Sequence, residues 1–137
     1  MGSICREAVS QRVTAMEIRR TAVRGEIWWV QLPTEPPDKG RRTVVIVSSD
    51  GRNKHERAST VLVVPLSTSI HKDSPTHTLL QPGETGLRET CVAQSENISV
   101  VRKESRVEPR ERLRQLTHAR VCEIADKVKI AMGCLIK

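Results

Sequence analysis

Two runs of β-branched residues constrain this chain more than anything else in it. Thr43-Val-Val-Ile-Val-Ser48 and Ser59-Thr-Val-Leu-Val-Val-Pro-Leu66 stand on either side of the turn cluster Asp50-Gly-Arg-Asn-Lys. Such side chains lose rotamer freedom in a helix and pack well on a pleated surface, so both runs predict strands. Inside the first there is no polar interruption, which predicts burial on both faces. Pro65 places the end of the second at an edge or a bulge, because proline cannot donate to a ladder.

The flanking segments extend the pattern. Glu26-Ile-Trp-Trp-Val-Gln31 predicts an earlier strand whose alternation turns Trp28 and Trp29 to opposite faces, one to the core and one to a dimer or a base. Pro33 to Arg41, with three prolines, a glycine and four charges, predicts a long exposed loop. Pro75–Leu80, Glu89–Gln94 and Ile98–Val101 predict three further strands, with Pro82–Gly86 as a turn. Pro109 opens a helical stretch. Thr117 caps a longer helix carrying Val121, Ile124, Ala125, Val128, Ala131 and Met132 at helical spacing, and Gly133 stops it. Six strands followed by a helix with one apolar stripe give an α+β class: a small β-barrel, meaning a strongly bent antiparallel sheet, with a C-terminal helix against it.

A length of 137 residues with 37% hydrophobic content supports one domain, at 24–137, after an extension at 1–23 that reads as disordered or non-native, with Met16 a candidate start. That length excludes multi-domain enzymes. No segment reaches the roughly 20 apolar residues of a membrane span, and no secretory signal block is present, so a cytoplasmic location is expected. A formal charge of +7 favours a polyanion or an acidic protein as partner. With two tryptophans and no phenylalanine or tyrosine, a surface of several stacking rings is excluded, and backbone electrostatics and hydrogen bonds must dominate nucleic-acid binding. Cys5, Cys91, Cys122 and Cys134 form no CxxC pair and read as reduced thiols. His118 and Cys122 share a helix face at i and i+4, but no second pair completes a site, so neither metal nor cofactor is expected.

Phosphate-binding glycine loops, GxSxG elbows and HExxH helices are all missing. What remains are polar residues at predicted strand ends: Arg42, then Ser67, Thr68 and Ser69, then Gln94, Ser95, Glu96 and Asn97. A guanidinium beside hydroxyls suits a phosphodiester, because Arg offers fixed donors to phosphate oxygens and a clamp for developing negative charge. Arg52, Lys54, Arg57, Lys72 and Arg88 would add phosphate contacts that read no bases, and His55 and His71 sit in turns that can touch RNA.

In order along the chain, Arg24-Gly-Glu-Ile-Trp28, Gly40-Arg-Arg42 before Val44-Val-Ile-Val47, Ser49-Asp50 with Asn53, Val63-Val-Pro-Leu-Ser67, Pro75-Thr-His77 and Glu96-Asn-Ile98 resemble the motifs of one family. It is the MazF, PemK and Kid group of toxin endoribonucleases from bacterial toxin–antitoxin pairs, and the likeness covers roughly 24 to 133. The resemblance implies an SH3-like barrel, a homodimer, and metal-independent, sequence-specific cleavage of single-stranded RNA that inhibits translation and growth. It implies attack by the RNA 2′-OH on the adjacent phosphorus, leaving a 2′,3′-cyclic phosphate and a 5′-OH. On this chain the family's main catalytic arginine falls on Arg42, with Arg41 as the second choice, and its strand-end hydroxyl on Ser67, with Thr68 next. Glu96 is the only nearby carboxylate for a base. The arginine and aspartate that the plasmid branch carries near 94–96 are replaced by Gln94, Ser95 and Glu96. His77 reads as structural within its motif and as an RNA contact, and Gln94 as an RNA contact. A small acidic antitoxin would compete for the basic groove, and the loop at 33–41 would gate it.

Two other readings fit the same barrel. CcdB-like gyrase-inhibiting toxins use a C-terminal tryptophan, glycine and isoleucine, whereas this chain ends Met132-Gly-Cys-Leu-Ile-Lys137. A non-catalytic SH3-like binding module would hold an acidic peptide or RNA and leave RNA uncut.

Overall fold

A computed structural model describes residues 22–31, 41–107 and 113–134. Expectations for the extension up to residue 21, for the 33–40 loop and for the helical stretch opening at Pro109 lie outside the described residues. Within them, strands β1 (Ile27–Gln31), β2 (Arg41–Ile46), β3 (Thr60–Ser67), β4 (His77–Leu80), β5 (Cys91–Gln94), β6 (Ser99–Arg102) and β7 (Arg106–Val107) form one antiparallel sheet. Its order is β4-β5-β3-β2-β1-β7, with β6 also on β3. The antiparallel sheet with its C-terminal helix agrees with the α+β expectation; among the described residues no pairing joins β4 to β7, so the sheet is not closed.

The β-branched runs occupy the middle because both of their faces are covered. Val45, Val64 and Leu66 join Ile27, Leu80 and Ala93 in one cluster, packed against Val121, Ile124 and Val128 of the C-terminal helix. Their neighbours along the strands, Val44, Ile46, Val61 and Val63, turn to the other side and enclose Trp28, Val30 and Val101. Alternation therefore splits one apolar run between two cores.

Pro65 does not mark an edge. β3 is central, pairing β2 on one side, while on the other side β6 takes Thr60–Val63 and β5 takes Leu66 and Ser67. The proline falls in the gap where the neighbour changes. β7 escapes a sequence reading because two residues carry no period to detect.

Three α-helices and two short 3₁₀ turns (Ser95–Asn97 and Lys103–Ser105) complete the described structure, and two of the α-helices are single turns at places read as plain turns. In α1 (Asp50–Asn53) the N-cap is Ser49, and Asn53 is buried, giving its amide to the Ser48 carbonyl at 2.9 Å and accepting from the Ser48 hydroxyl. Pro82 opens α2 (Pro82–Thr85), which Gly86 ends at φ +81°. α3 (His118–Ala131) is capped by Thr117, as its sequence predicts. Its buried stripe is Val121, Ile124 and Val128, whereas Ala131 and Met132 are exposed, because the last turn runs past the sheet. None of these helices is long and apolar enough to cross a membrane.

Candidate active site at one end of the sheet

Pairing between β2 and β3 stops at Val44 opposite Pro65. Two residues beyond on each strand stand Arg42 and Ser67, and alternation turns both side chains to the same side of the sheet. Arg42 is exposed and lies across from Val30 of β1. The Ser67 hydroxyl accepts the Ser69 N–H at 3.1 Å, which fixes the turn leaving β3, and Thr68 is exposed beside it. Guanidinium and hydroxyl thus stand on one side of the same strand ends, where an anion would find donors from both. Arg41, also exposed, points to the opposite face from Arg42.

On that opposite face a hollow of about 240 Å³ opens, lined by Trp29, Thr43, Leu66, Ser67, Thr68, Leu87, Arg88, Glu89 and Cys91. Register explains the gathering. Trp29 pairs with Thr43, and Ser67 pairs with Val92, so the segment entering β5 must run alongside the end of β3. Cys91 is buried there, and burial, followed by the Glu84 charge, pushes its thiol up to about 11, which makes it an inert wall. Glu89 corrects one expectation: Glu96 is not the only carboxylate near the strand ends, and the one beside Ser67 and Thr68 is Glu89. Only the β3–β5 pairing reveals this, and no local pattern carries it.

Glu96 follows β5 in a 3₁₀ turn (Ser95–Asn97) and has both oxygens engaged. Oε1 accepts from the Thr76 hydroxyl and Oε2 contacts His77 Nε2, each at 2.9 Å. Burial pushes its carboxyl up, but the His77 contact, its own backbone N–H and Thr76 together outweigh that and leave it below its ordinary value. His77 begins β4 opposite Gln94, its side chain only 7% exposed, with Nδ1 buried and unpartnered. The His71 ring lies 6.1 Å from it, in the same loop as exposed Lys72. Three strand spacings of roughly 4.8 Å separate β2 from β4, so this pair stands to one side of Arg42.

The remaining basic candidates are not brought to this end. Arg52, Lys54, His55 and Arg57 sit between β2 and β3, at the other end of an eight-residue strand from Ser67. At roughly 3.4 Å per residue this is more than 20 Å away. There Arg52 donates to the Thr60 hydroxyl at 2.9 Å. Lys103 donates to the His55 carbonyl at 3.4 Å, and burial, then the Arg52 charge, pushes its amine below the ordinary range. On α3, His118 Nε2 lies 3.4 Å from Cys122 Sγ while Arg24 engages Nδ1 at 2.6 Å. Among the described residues no three potential metal ligands gather.

A family model described as the PemK-like, MazF-like toxin of type II toxin–antitoxin systems matches residues 23–132. The chain belongs to this toxin family. Endoribonuclease MazF9 of Mycobacterium tuberculosis is 30% identical to it over 115 residues, which are 78% of this chain and 92% of that protein. An endoribonuclease in complex with its cognate antitoxin from mycobacterial species superposes with a TM-score of 0.65 at 22% identity, over 85% of this chain and 99% of the other. A MazE–MazF complex from Deinococcus radiodurans gives 0.63 at 16% identity, over 84% and 99%. In this MazF-like toxin the matched span holds every described strand and all of α3.

Proposed function

We propose that this MazF-like toxin is a sequence-specific, metal-independent endoribonuclease that cleaves single-stranded RNA through its own 2′-OH. The observation that carries the reading is the pair Arg42 and Ser67, on one side of the sheet just past the last β2–β3 pair. A non-bridging phosphate oxygen held there would accept from the Ser67 or Thr68 hydroxyl, and Arg42 would neutralise the charge that grows as the 2′-oxygen adds to phosphorus. As the O2′–P bond forms, the 2′-OH proton passes to water; as the P–O5′ bond breaks, the leaving oxygen takes a proton from Arg42, which water restores, and the products are a 2′,3′-cyclic phosphate and a 5′-OH. Glu96, hydrogen-bonded through both oxygens, positions His77 to one side of the scissile phosphate. Arg41, Lys72, Arg88 and Gln94 contact the strand.

The sheet is expected to bend into the SH3-like barrel of the family and to work as a homodimer in the cytoplasm. A small acidic antitoxin complements the +7 charge, and solved relatives carry their antitoxins. The test is incubation in EDTA with mixed-sequence single-stranded RNA, its DNA counterpart and an Arg42→Ala control. Expected are cuts at a short motif in RNA alone, cyclic phosphate ends, and a loss of roughly 10²–10³-fold in the variant, the scale for removing one transition-state donor. RNA left intact by folded, antitoxin-free protein overturns the reading in favour of gyrase or peptide binding.

A further inference from the structure

We propose that the hollow behind Ser67 is a subsite for one nucleobase of the RNA, stacked on Trp29 and read at its edge by Arg88 and Glu89. The inference rests on the endoribonuclease reading and adds to it where sequence preference comes from. Its first support is scarcity: the chain has two tryptophans and no phenylalanine or tyrosine, and Trp28 is fully buried in the second core. Trp29 is the one left part-exposed, and it lines a cavity that also holds Ser67 and Thr68. Every base offers a π-face, so a single ring placed next to the scissile phosphate captures a neighbouring base without help from others.

Size gives the second support. About 240 Å³ lies below the roughly 300–1,000 Å³ of sites for drug-sized molecules, so one planar ring fits better than two. Leu66 and Leu87 supply apolar walls, and Arg88 and Glu89 are both exposed beside them. Arg brings donors only and ionised Glu acceptors only, and a base edge carries both kinds of group, so the two charges can discriminate between bases as well as hold one. The geometry also suits a strand crossing the sheet edge. Ser67 borders both sides, so the phosphate can rest on the Arg42 side while the adjoining base turns into the hollow.

The experiment is a cycle between protein and RNA. Wild type, Trp29→Leu and the conservative Trp29→Phe are compared on an oligonucleotide containing the mapped cut motif, and on a series with one abasic nucleotide at each position. Loss of stacking is expected to slow Trp29→Leu cleavage roughly ten- to a hundred-fold on the intact RNA, with Trp29→Phe in between. At one position beside the cut, the abasic substitution should erase the difference between the proteins. An equal deficit at every abasic position overturns the subsite, as does a halved sedimentation mass of Trp29→Leu, which would make the hollow a contact between copies of the chain. Should wild-type protein cut no RNA, the endoribonuclease reading fails and the subsite falls with it, a result distinct from cleavage without coupling.

Discussion

A carboxylate's neighbours decide its task, and Glu96 and Glu84 illustrate this in different ways. Glu96 spends both oxygens on Thr76 and His77, so Glu96→Gln keeps most of the contacts and should cost RNA cleavage less than tenfold, far below the loss for Arg42→Ala. Cleavage rates of the two variants on one RNA check the order. Glu84 closes the capping box of α2 by accepting the Gln81 N–H, and it pairs with Arg120 of α3 at 2.8 Å. The Gln81 N–H pulls its carboxyl below the ordinary 4.5; burial pushes the other way, and Arg120 adds to the lowering, which prevails overall. Both groups are therefore more acidic folded than unfolded. Their contribution is present above the unfolded value and is lost as pH falls through the folded one. The urea midpoint should accordingly drop from about pH 5 downwards, and the Glu84→Gln, Glu96→Gln double variant should flatten that drop. A wild-type midpoint that stays level across this window contradicts the assignment.

One scale up, α3 shows why some elements can be read from a sequence and others cannot. Its start, stripe and stop are local: Thr117 accepts the Arg120 N–H, while at the far end Gly133 sits at φ +84°. There the Gly133 N–H bonds the Ile130 carbonyl and the Cys134 N–H bonds that of Lys129, the paired contacts of a Schellman cap. Thr117→Ala should cost about 1 kcal/mol. Gly133→Ala should cost about 1–2 kcal/mol from left-handed strain alone, since open space surrounds its Cβ position. Gly25 adds a collision to that strain. At φ +94° its Cβ would stand 2.6 Å from the Leu116 carbonyl oxygen, so Gly25→Ala should be the worst of the three, which thermal unfolding of all three variants would check. Gly25 was legible only as part of a motif; the close approach of the Leu116 backbone, just before α3, that demands it comes from packing. The same division holds elsewhere. Central strands announced themselves through β-branched runs, whereas the change of neighbour at Pro65, the two-residue β7 and the meeting of Glu89 with Ser67 depend on pairings between distant segments. Arg42 and Ser67 could be picked out because strand ends are visible in one dimension; their shared face needed the register.

For the molecule as a whole, net charge is a poor guide to where a polyanion lies. Arg41, Arg42, Lys72 and Arg88 cluster about the end of the sheet that holds Ser67, while Arg52, Lys54 and Arg57 stand at the opposite end of β3. Each phosphate that a cation neutralises releases condensed counterions, and for single strands the slope of log K against log salt changes by roughly 0.7 per contact. Binding to an uncleavable deoxy analogue, titrated across salt concentrations, therefore counts the cations that take part. Arg41→Ala and Lys72→Ala should each lower the slope by roughly 0.7 if the strand follows the Ser67 end. Lys54→Ala and Arg57→Ala should leave it unchanged, because both side chains are exposed more than 20 Å away by strand length and a short oligonucleotide on the Ser67 end does not reach them. The reverse pattern would move the strand to the α1 end and leave Arg42 without a substrate. Equal changes from both ends would mean a strand that runs the length of β3, with the distant cations extending the footprint past the scissile phosphate.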